Sequence, residues 1–310
     1  MNHRNTPVAF AVLAAAAVIC HGHVGSAAPL TLNHAARLAP KPAAAEVAYD
    51  LQGGGALDRG PDGAELSLQT LRARVALPLL RYGSGALLVG AGYQLHSFSL
   101  SAPTFSTVTR NLHQLSTQLS WVQGLGRRWS FAVHVAPTLA SDMRDIAAED
   151  FVLKGRATLS WSPSDNWLLL AGVAVNRQFG AYVPTPVLGV VYRPQGAGLY
   201  VEALLPRRVT VGYKVNRRVE LFGEGSISGL WWYARSENEG GPEGYFKYFA
   251  SQVGLGANVG IVKGFGLRLF GGVMPYGKLE ARDGDDNSID SVVKLAPVMS
   301  AALTWRPQQR

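Results

Sequence analysis

Three histidines and three serines are the first residues to weigh for chemistry: His96, His113 and His134, with Ser97, Ser116 and Ser130 close by in the chain. A hydroxyl nucleophile needs an imidazole base within hydrogen-bond reach and a third group to orient that base, a constellation recognised by geometry rather than by spacing. No signature in the chain assembles these six residues into such a unit. The histidines are therefore expected to line an interior or an interface, and no catalytic residue is assigned. The glycine-rich run 254–260 lacks phosphate-loop spacing and falls within a strand pattern, where glycine eases curvature or close packing. Asp283, Asp285, Asp286, Asn287, Ser288 and Asp290 carry oxygens hard enough for Ca²⁺, but not at EF-hand positions. With Glu237, Glu239 and Glu243 they read as an acidic, water-facing surface, and neither a metal nor a cofactor is expected.

The second set of chemically active residues emerges from alternation. If Leu71, Val75, Leu153, Leu159, Val211 and Leu269 share one face of their strands, then Arg72, Arg74, Lys154, Arg156, Lys214 and Arg268 lie on the other, opposed by Glu202, Glu220 and Glu224. Charge is costly on a face turned to hydrocarbon. These nine residues are therefore expected to point inward, into a lumen with a basic surplus. Such a lumen could serve as a passage favouring anionic solutes, or its charges could be ion pairs bracing a closed barrel.

The elements that must position these side chains are strands. In Trp129, Phe131, Val133 and Val135 the apolar side alternates with Ser130, Ala132, His134 and Ala136, and the same period-two pattern runs through 249–259. It marks strands at 46–52, 65–77, 86–99, 111–123, 129–140, 151–161, 167–178, 186–193, 199–205, 208–215, 219–234, 247–261, 266–278 and 292–305. The expected fold is an all-β, transmembrane, antiparallel up-and-down β-barrel of about fourteen strands. Twelve remain open because 46–52, 199–205 and 208–215 are short. Most segments reach the roughly nine to eleven residues that a tilted strand needs to cross a bilayer.

The connections alternate in length, as they must when both chain ends lie in the periplasm. Tight turns at 81–85, 124–128, 162–166, 195–198, 216–218 and 262–266 alternate with longer links at 53–64, 100–110, 141–150, 179–185, 235–246 and 279–291. Pro206-Arg207 alone is short where a long link is due. The tight turns carry Arg81, Arg127, Arg128, Arg217, Arg218 and Lys263. All seven tryptophans sit near strand ends: Trp121, Trp129, Trp161, Trp167 and Trp305 at the periplasmic side, Trp231 and Trp232 toward the outside. An indole is at home in a bilayer interface, where its ring is in apolar surroundings and its N–H finds a partner.

Composition fits. Of 310 residues, 35 are glycine, 47% are apolar and 16% charged, yet mean hydropathy is only +0.07, as expected when each lipid-facing residue alternates with an inward polar one. The formal charge of +8 is scattered and accompanies no nucleic-acid motif, so no nucleic-acid partner is expected. The first residues follow the layout of a secretory signal: Arg4, an apolar core from Val8 to Ile19, then Gly25-Ser26-Ala27 as a small-x-small cleavage site. Ile19 before Cys20 does not suit a lipoprotein signal. Residues 1–27 are thus expected to be removed, 28–45 to form a Pro- and Ala-rich periplasmic leader, and 46–310 to form the barrel. Cys20 is the single cysteine, so the mature chain has no disulfide framework.

The segment Pro186-Val187-Leu188-Gly189-Val190-Val191-Tyr192-Arg193-Pro194, with Leu204-Leu205-Pro206 and Val211-Gly212-Tyr213-Lys214-Val215, resembles a family of bacterial outer-membrane proteins known only as a domain of unknown function. The resemblance runs from about Tyr49 to the last strand. It implies an outer-membrane barrel and supplies no site residues. The last strand offers Val293, Leu295, Met299, Ala301, Leu303 and Trp305 as an apolar face, followed by the tail Arg306-Pro307-Gln308-Gln309-Arg310. Outer-membrane lipids and the barrel assembly machinery are the expected partners, with Trp305 near the chain end as the recognition residue. Two expectations follow from this reading: N-terminal sequencing of the exported protein should start at Ala28, and fractionation should place it in the outer membrane with a heat-modifiable gel mobility. A soluble periplasmic monomer would contradict both the barrel and its location.

Overall fold

A computed structural model describes residues 45–306 apart from Gly60, Pro61, Thr104, Asp145, Phe179, Gly180, Gln195, Ala197, 235–243, Lys263 and 283–287. The expected signal, nearly all of the leader, the acidic residues from Asp283 to Asn287 and Glu237, Glu239 and Glu243 lie outside the described residues. The strands are β1 (Ala45–Ala56), β2 (Glu65–Tyr82), β3 (Gly85–Ala102), β4 (Phe105–Leu125), β5 (Trp129–Ser141), β6 (Phe151–Ser164), β7 (Trp167–Gln178), β8 (Ala181–Tyr192), β9 (Gly198–Leu205), β10 (Arg208–Lys214), β11 (Val219–Ala234), β12 (Gly244–Val262), β13 (Phe265–Arg282), β14 (Ser288–Val293) and β15 (Ala296–Trp305).

Each pair of consecutive strands from β1 to β14 is antiparallel. β15 also pairs with β1 and β12 pairs with β13, so the sheet closes on itself. Both β14 and β15 pair with β13, the first along its outer half and the second along its inner half. They are one wall strand interrupted at Lys294-Leu295, and the wall is a closed barrel of fourteen strands. Closure is what such a surface requires, because an open edge in hydrocarbon would leave N–H and C=O groups without partners.

The interruption changes the phase of the last strand. Val293 and Ala296 are three residues apart, yet both are fully buried on the inner face, and β13 shifts phase in step with them, since their partners Gly277 and Met274 are also three apart and buried. Val293 therefore departs from the apolar outer face expected for it, whereas Leu295, Met299 and Leu303 are exposed on the outside. Gly55 packs against this break: a Cβ there would stand 2.5 Å from Val293 Cγ1 and 2.9 Å from the Lys294 carbonyl, so only glycine lets β1 pass. The 57–64 link is pinned to the same place, with Asp58 Oδ1 accepting from the Val292 N–H at 2.6 Å and the Ser291 hydroxyl at 2.9 Å. Those two donors hold the Asp58 carboxyl below the usual carboxylate range.

Several strands run further outward than the alternation indicated. β3 and β4 extend to Ala102 and from Phe105, β7 and β8 to Gln178 and from Ala181, so the links expected at 100–110 and 179–185 are mostly strand. β13 likewise continues to Arg282. A phase shift near Pro275 turns Lys278 and Glu280 outward, where Lys247 and Lys278 bond Glu280 at 2.7 and 2.8 Å and Asp290 lies 3.3 Å from Lys278. This charged cluster sits toward the outer rim of the wall.

Side-chain placement is inverted relative to a water-soluble protein. Leu255, Leu188, Phe151, Leu153 and Val253 are exposed on the outside, while Thr70, His96, Ser120, Ser130, Thr138 and Thr210 are buried inside. An apolar belt of this extent is stable only against hydrocarbon. At its inner rim Trp129 stacks on Trp161 with centroids 5.8 Å apart, Trp167 meets Tyr192 at 4.8 Å, Trp305 meets Phe265 at 6.4 Å, and Trp121 donates to the Tyr82 hydroxyl. The face assignment is open to direct test. Val253→Arg is expected to block assembly or cost about 2 to 4 kcal/mol near the bilayer midplane, while Gln252→Arg, one residue along the same strand, assembles. Heat-modifiable mobility of the two refolded variants reads the difference, and equal tolerance would mean that this face does not meet lipid.

Candidate functional site

The inner face divides into two levels. Toward the outside lies an aromatic and aliphatic cluster that includes Leu66, Leu68, Phe98, Leu112, Trp232, Phe246, Tyr248, Met274, Leu279 and Val298. Trp232 on β11 meets the edge of the His96 ring at 5.0 Å and Phe98 at 6.2 Å, both on β3, and Phe98 meets Phe246 at 4.4 Å. In one direction round the wall β12, β13, β15, β1 and β2 separate β11 from β3; in the other, β4 to β10 do. These contacts therefore cross the interior and do not follow the wall. The Tyr248 hydroxyl adds a polar strut, donating to Gln52 Oε1 on β1 at 2.6 Å. The short 3₁₀ turn Ala148–Asp150, on the link after β5, packs against β5 and β11.

Trp232 corrects the sequence reading. It is 1% exposed and its indole N–H has no partner, so it belongs to the interior cluster and not to the lipid interface. Adjacent residues of a strand face opposite sides, so Trp231 and Trp232 cannot both meet lipid, and that signal was available. The Trp231 side chain lies outside what the structure describes. Trp121, Trp129, Trp161 and Trp167 are exposed outward at strand ends, and Trp305 is half-buried there.

Below this cluster the lining is polar and charged. Arg72, Arg74, Lys154, Arg156, Glu202, Lys214, Glu220, Glu224 and Arg268 all lie on the inner side of their strands, in phase with the buried Thr70, Val152, Tyr200, Thr210 and Phe222. Several are paired. Arg72 bonds Asp50 at 2.9 Å, and Asp50 also accepts from the Ser300 hydroxyl; Arg74 bonds Glu46 at 2.8 Å. Glu224 receives Arg268 at 2.7 Å and the Thr210 hydroxyl at 2.9 Å, with Arg208 at 4.0 Å. Glu202 binds Arg193 at 2.6 Å, Glu220 accepts from Asn258 at 3.3 Å, and Lys214 donates to the Pro194 carbonyl at 3.2 Å. Arg268 also lies 3.9 Å over the Phe222 ring.

The remaining cations form a different group. Arg207, in the β9–β10 turn, lies close enough to Lys154, Arg156 and Arg72 for their charges to repel. Among the described residues, no carboxylate forms an ion pair with Lys154, Arg156 or Arg207, and Arg156 Nε is buried without a partner. Arg207 was missed in the sequence because it sits in a turn, outside the alternation that located the others. Beside this group, Glu46, Arg72, Arg74, Gln94, Ser116 and Gln118 border a cleft of about 220 Å³.

The structure does not bring the six nucleophile and base candidates together. His96 Nδ1 is 2.9 Å from the Thr70 hydroxyl, His113 Nδ1 is 2.8 Å from that of Tyr93, and His134 Nδ1 is 2.8 Å from that of Ser120. Ser97 donates to Asn111 and Ser116 to the Gly92 carbonyl. Among the described residues, no group of acidic, histidine or cysteine side chains could hold a metal ion.

Residues 81–305 match the family described as domain of unknown function (DUF6268). No curated protein matches the chain. Among solved structures, a deltaS2 mutant of the monoaromatic hydrocarbon channel TodX is similar at 11% identity over 88% of this chain and 93% of that one, with a TM-score of 0.45. An outer-membrane channel from Pseudomonas putida F1 is similar at 9% identity over 89% and 98%, with a TM-score of 0.38. A triple mutant of Rhodopseudomonas blastica porin has 9% identity over 83% and 99%, with a TM-score of 0.27.

The cross-barrel cluster is expected to carry stability. Trp232→Ala should cost about 3 to 5 kcal/mol, since it empties a filled site, whereas Leu255→Ala on the lipid face should cost far less. Urea unfolding of the two variants in lipid vesicles compares them, and equal losses would mean that the cross-barrel packing contributes nothing.

Proposed function

The chain belongs to the DUF6268 family, and from that premise we propose that it is an outer-membrane barrel whose basic interior passes anionic solutes. The observation that carries this reading is the convergence of Lys154, Arg156 and Arg207 with no carboxylate among the described residues to neutralise them. Ion pairs that only braced a wall would be matched in sign, as Arg72 with Asp50 and Arg74 with Glu46 are. Unmatched cations in a partly desolvated interior favour an anion from the solution. The apolar outside supports a membrane position, and the expected export signal would deliver the chain there.

A second reading has its own observation. The contacts from Trp232 to His96 and Phe98 cross the interior, which favours a closed barrel acting as a structural or interaction element. Under the first reading the same cluster is a gate. Planar-bilayer recordings of the refolded protein in a KCl gradient distinguish the two. Stepwise currents with a reversal potential on the chloride side are expected, moving toward the non-selective value when Lys154, Arg156 and Arg207 are all replaced by Gln. Absence of steps both in the native chain and in Trp232→Ala would overturn the channel reading and leave the closed barrel.

A further inference from the structure

The wall is uneven in height. β9 and β10 have 8 and 7 residues, against 12 in β8 and 16 in β11. On one side the pairing of β8 stops at Leu188 opposite Leu205; on the other, β10 reaches Ser226 of β11 from Arg208, and the Ile227 N–H bonds the Arg207 carbonyl at 2.9 Å. Above the Pro206-Arg207 turn, β8 continues through 181–187 and β11 through 228–234. Among the described residues neither has a strand partner on the facing side. At about 3.3 Å per residue the unpaired length of β8 is about 20 Å. Leu188 is only four residues from Tyr192 in the inner aromatic rim, so the gap begins within the height of the apolar belt.

The chain is adapted to this edge. The Arg193 N–H bonds the Asn166 carbonyl of the β7 side, which sets the phase of an uninterrupted ladder: odd residues of β8 direct their amides to β7, and even residues to the side where β9 has ended. Pro184 and Pro186 are even. They place proline, which has no N–H, at two positions where an amide would otherwise face hydrocarbon without an acceptor. Opposite them on β11, Gly229 faces outward at the border of the gap, where a Cβ built on it would meet nothing within 4 Å. The outward side chains bordering the gap are apolar: Tyr182, Pro184, Pro186, Leu188 and Leu205. Inside, the cross-barrel cluster draws on β2 to β5 and β11 to β15 but on no residue of β6 to β10, and Lys154 and Arg156 of β6 lie in that sector near Arg207 at the foot of the gap.

We propose that the gap between β8 and β11 above Pro206-Arg207 is a lateral opening, through which a single-chain amphiphile with an anionic head passes between the bilayer and the basic interior. The apolar border suits the chain, and the Lys154, Arg156 and Arg207 cations suit the head. This inference rests on the proposed basic passage and specifies its substrate class.

The test is photocrosslinking of the full mature chain, reconstituted in phosphatidylcholine vesicles, with dodecanoate carrying a diazirine at its chain end. Crosslinks mapped by mass spectrometry should concentrate in 181–188 and 227–232 and be displaced by unlabelled dodecanoate. They should fall at least fivefold when Lys154, Arg156 and Arg207 are replaced by Gln. Gly229→Trp, which sets a large ring on the outward border of the gap, should lower them equally while leaving chloride currents intact, and heat-modifiable mobility verifies that each variant has folded. Crosslinks spread evenly round the belt, equal labelling by a dodecyltrimethylammonium probe, or saturable labelling of the gap by a diazirine phosphatidylglycerol would each overturn the proposal. Crosslinking reads binding without current, so localised crosslinks with no conductance would sink the passage and keep the opening. Conductance with evenly spread crosslinks would sink the opening alone.

Discussion

The rest of this structure depends on the satisfaction of backbone hydrogen bonds in a medium that supplies none. An apolar outer surface can be stable in hydrocarbon only if the N–H and C=O groups behind it are paired within the sheet. The contact of β15 with β1 meets that demand at the seam where an open up-and-down sheet would leave two bare edges. The interrupted last strand shows how strict the demand is. The strand breaks at Lys294-Leu295, yet β14 and β15 both stay in register on the β13 ladder, and the Lys294 N–H bonds the Ala56 carbonyl at 2.8 Å. Where β8 runs past the end of β9, two prolines remove donors that would otherwise face the unpaired side.

The same solvent logic governs the interior. Charges excluded from the outer face collect inside, and most are matched there: Asp50, Glu46, Glu202 and Glu224 each hold an arginine. Paired charges in a confined space brace the wall and add little field. What distinguishes this barrel is the residue of that pairing, the group around Arg207, which repulsion would disperse if the wall did not hold it in place. The aromatic cluster occupies the part of the bore that these cations leave, so the apolar and basic halves of the interior are separated across the barrel as well as along it.

Trp232 and Arg207 show how far local pattern reaches. The Trp232 indole is of a type that usually sits at an interface, and Arg207, although exposed, lies in a turn that the alternation does not reach. Each is placed instead by the position of its strand end relative to strands far away in the chain. Trp232 meets β3 because the bore is narrow enough for a large ring to span. Arg207 faces β6 because the β9–β10 hairpin is short enough for its turn to lie beside the inner lining and not above it.

The amino-acid sequence by itself determined the strands and their order, and a face for each along its regular stretch. Period-two alternation is a local property that any neighbouring partner preserves, and the inward position of residues such as Arg72 and Lys154 follows from it. It also made Pro184 look like part of a link and started the strand only at Pro186, since proline interrupts a ladder that has partners on both sides. Only the tertiary structure decided that β8 has no partner there, that Val293 turns inward beside the break at Lys294-Leu295, which cations are neutralised, and which rings meet across the bore. Those outcomes depend on strand register and on distances between residues remote in sequence. Alternation along a single strand carries no information about either.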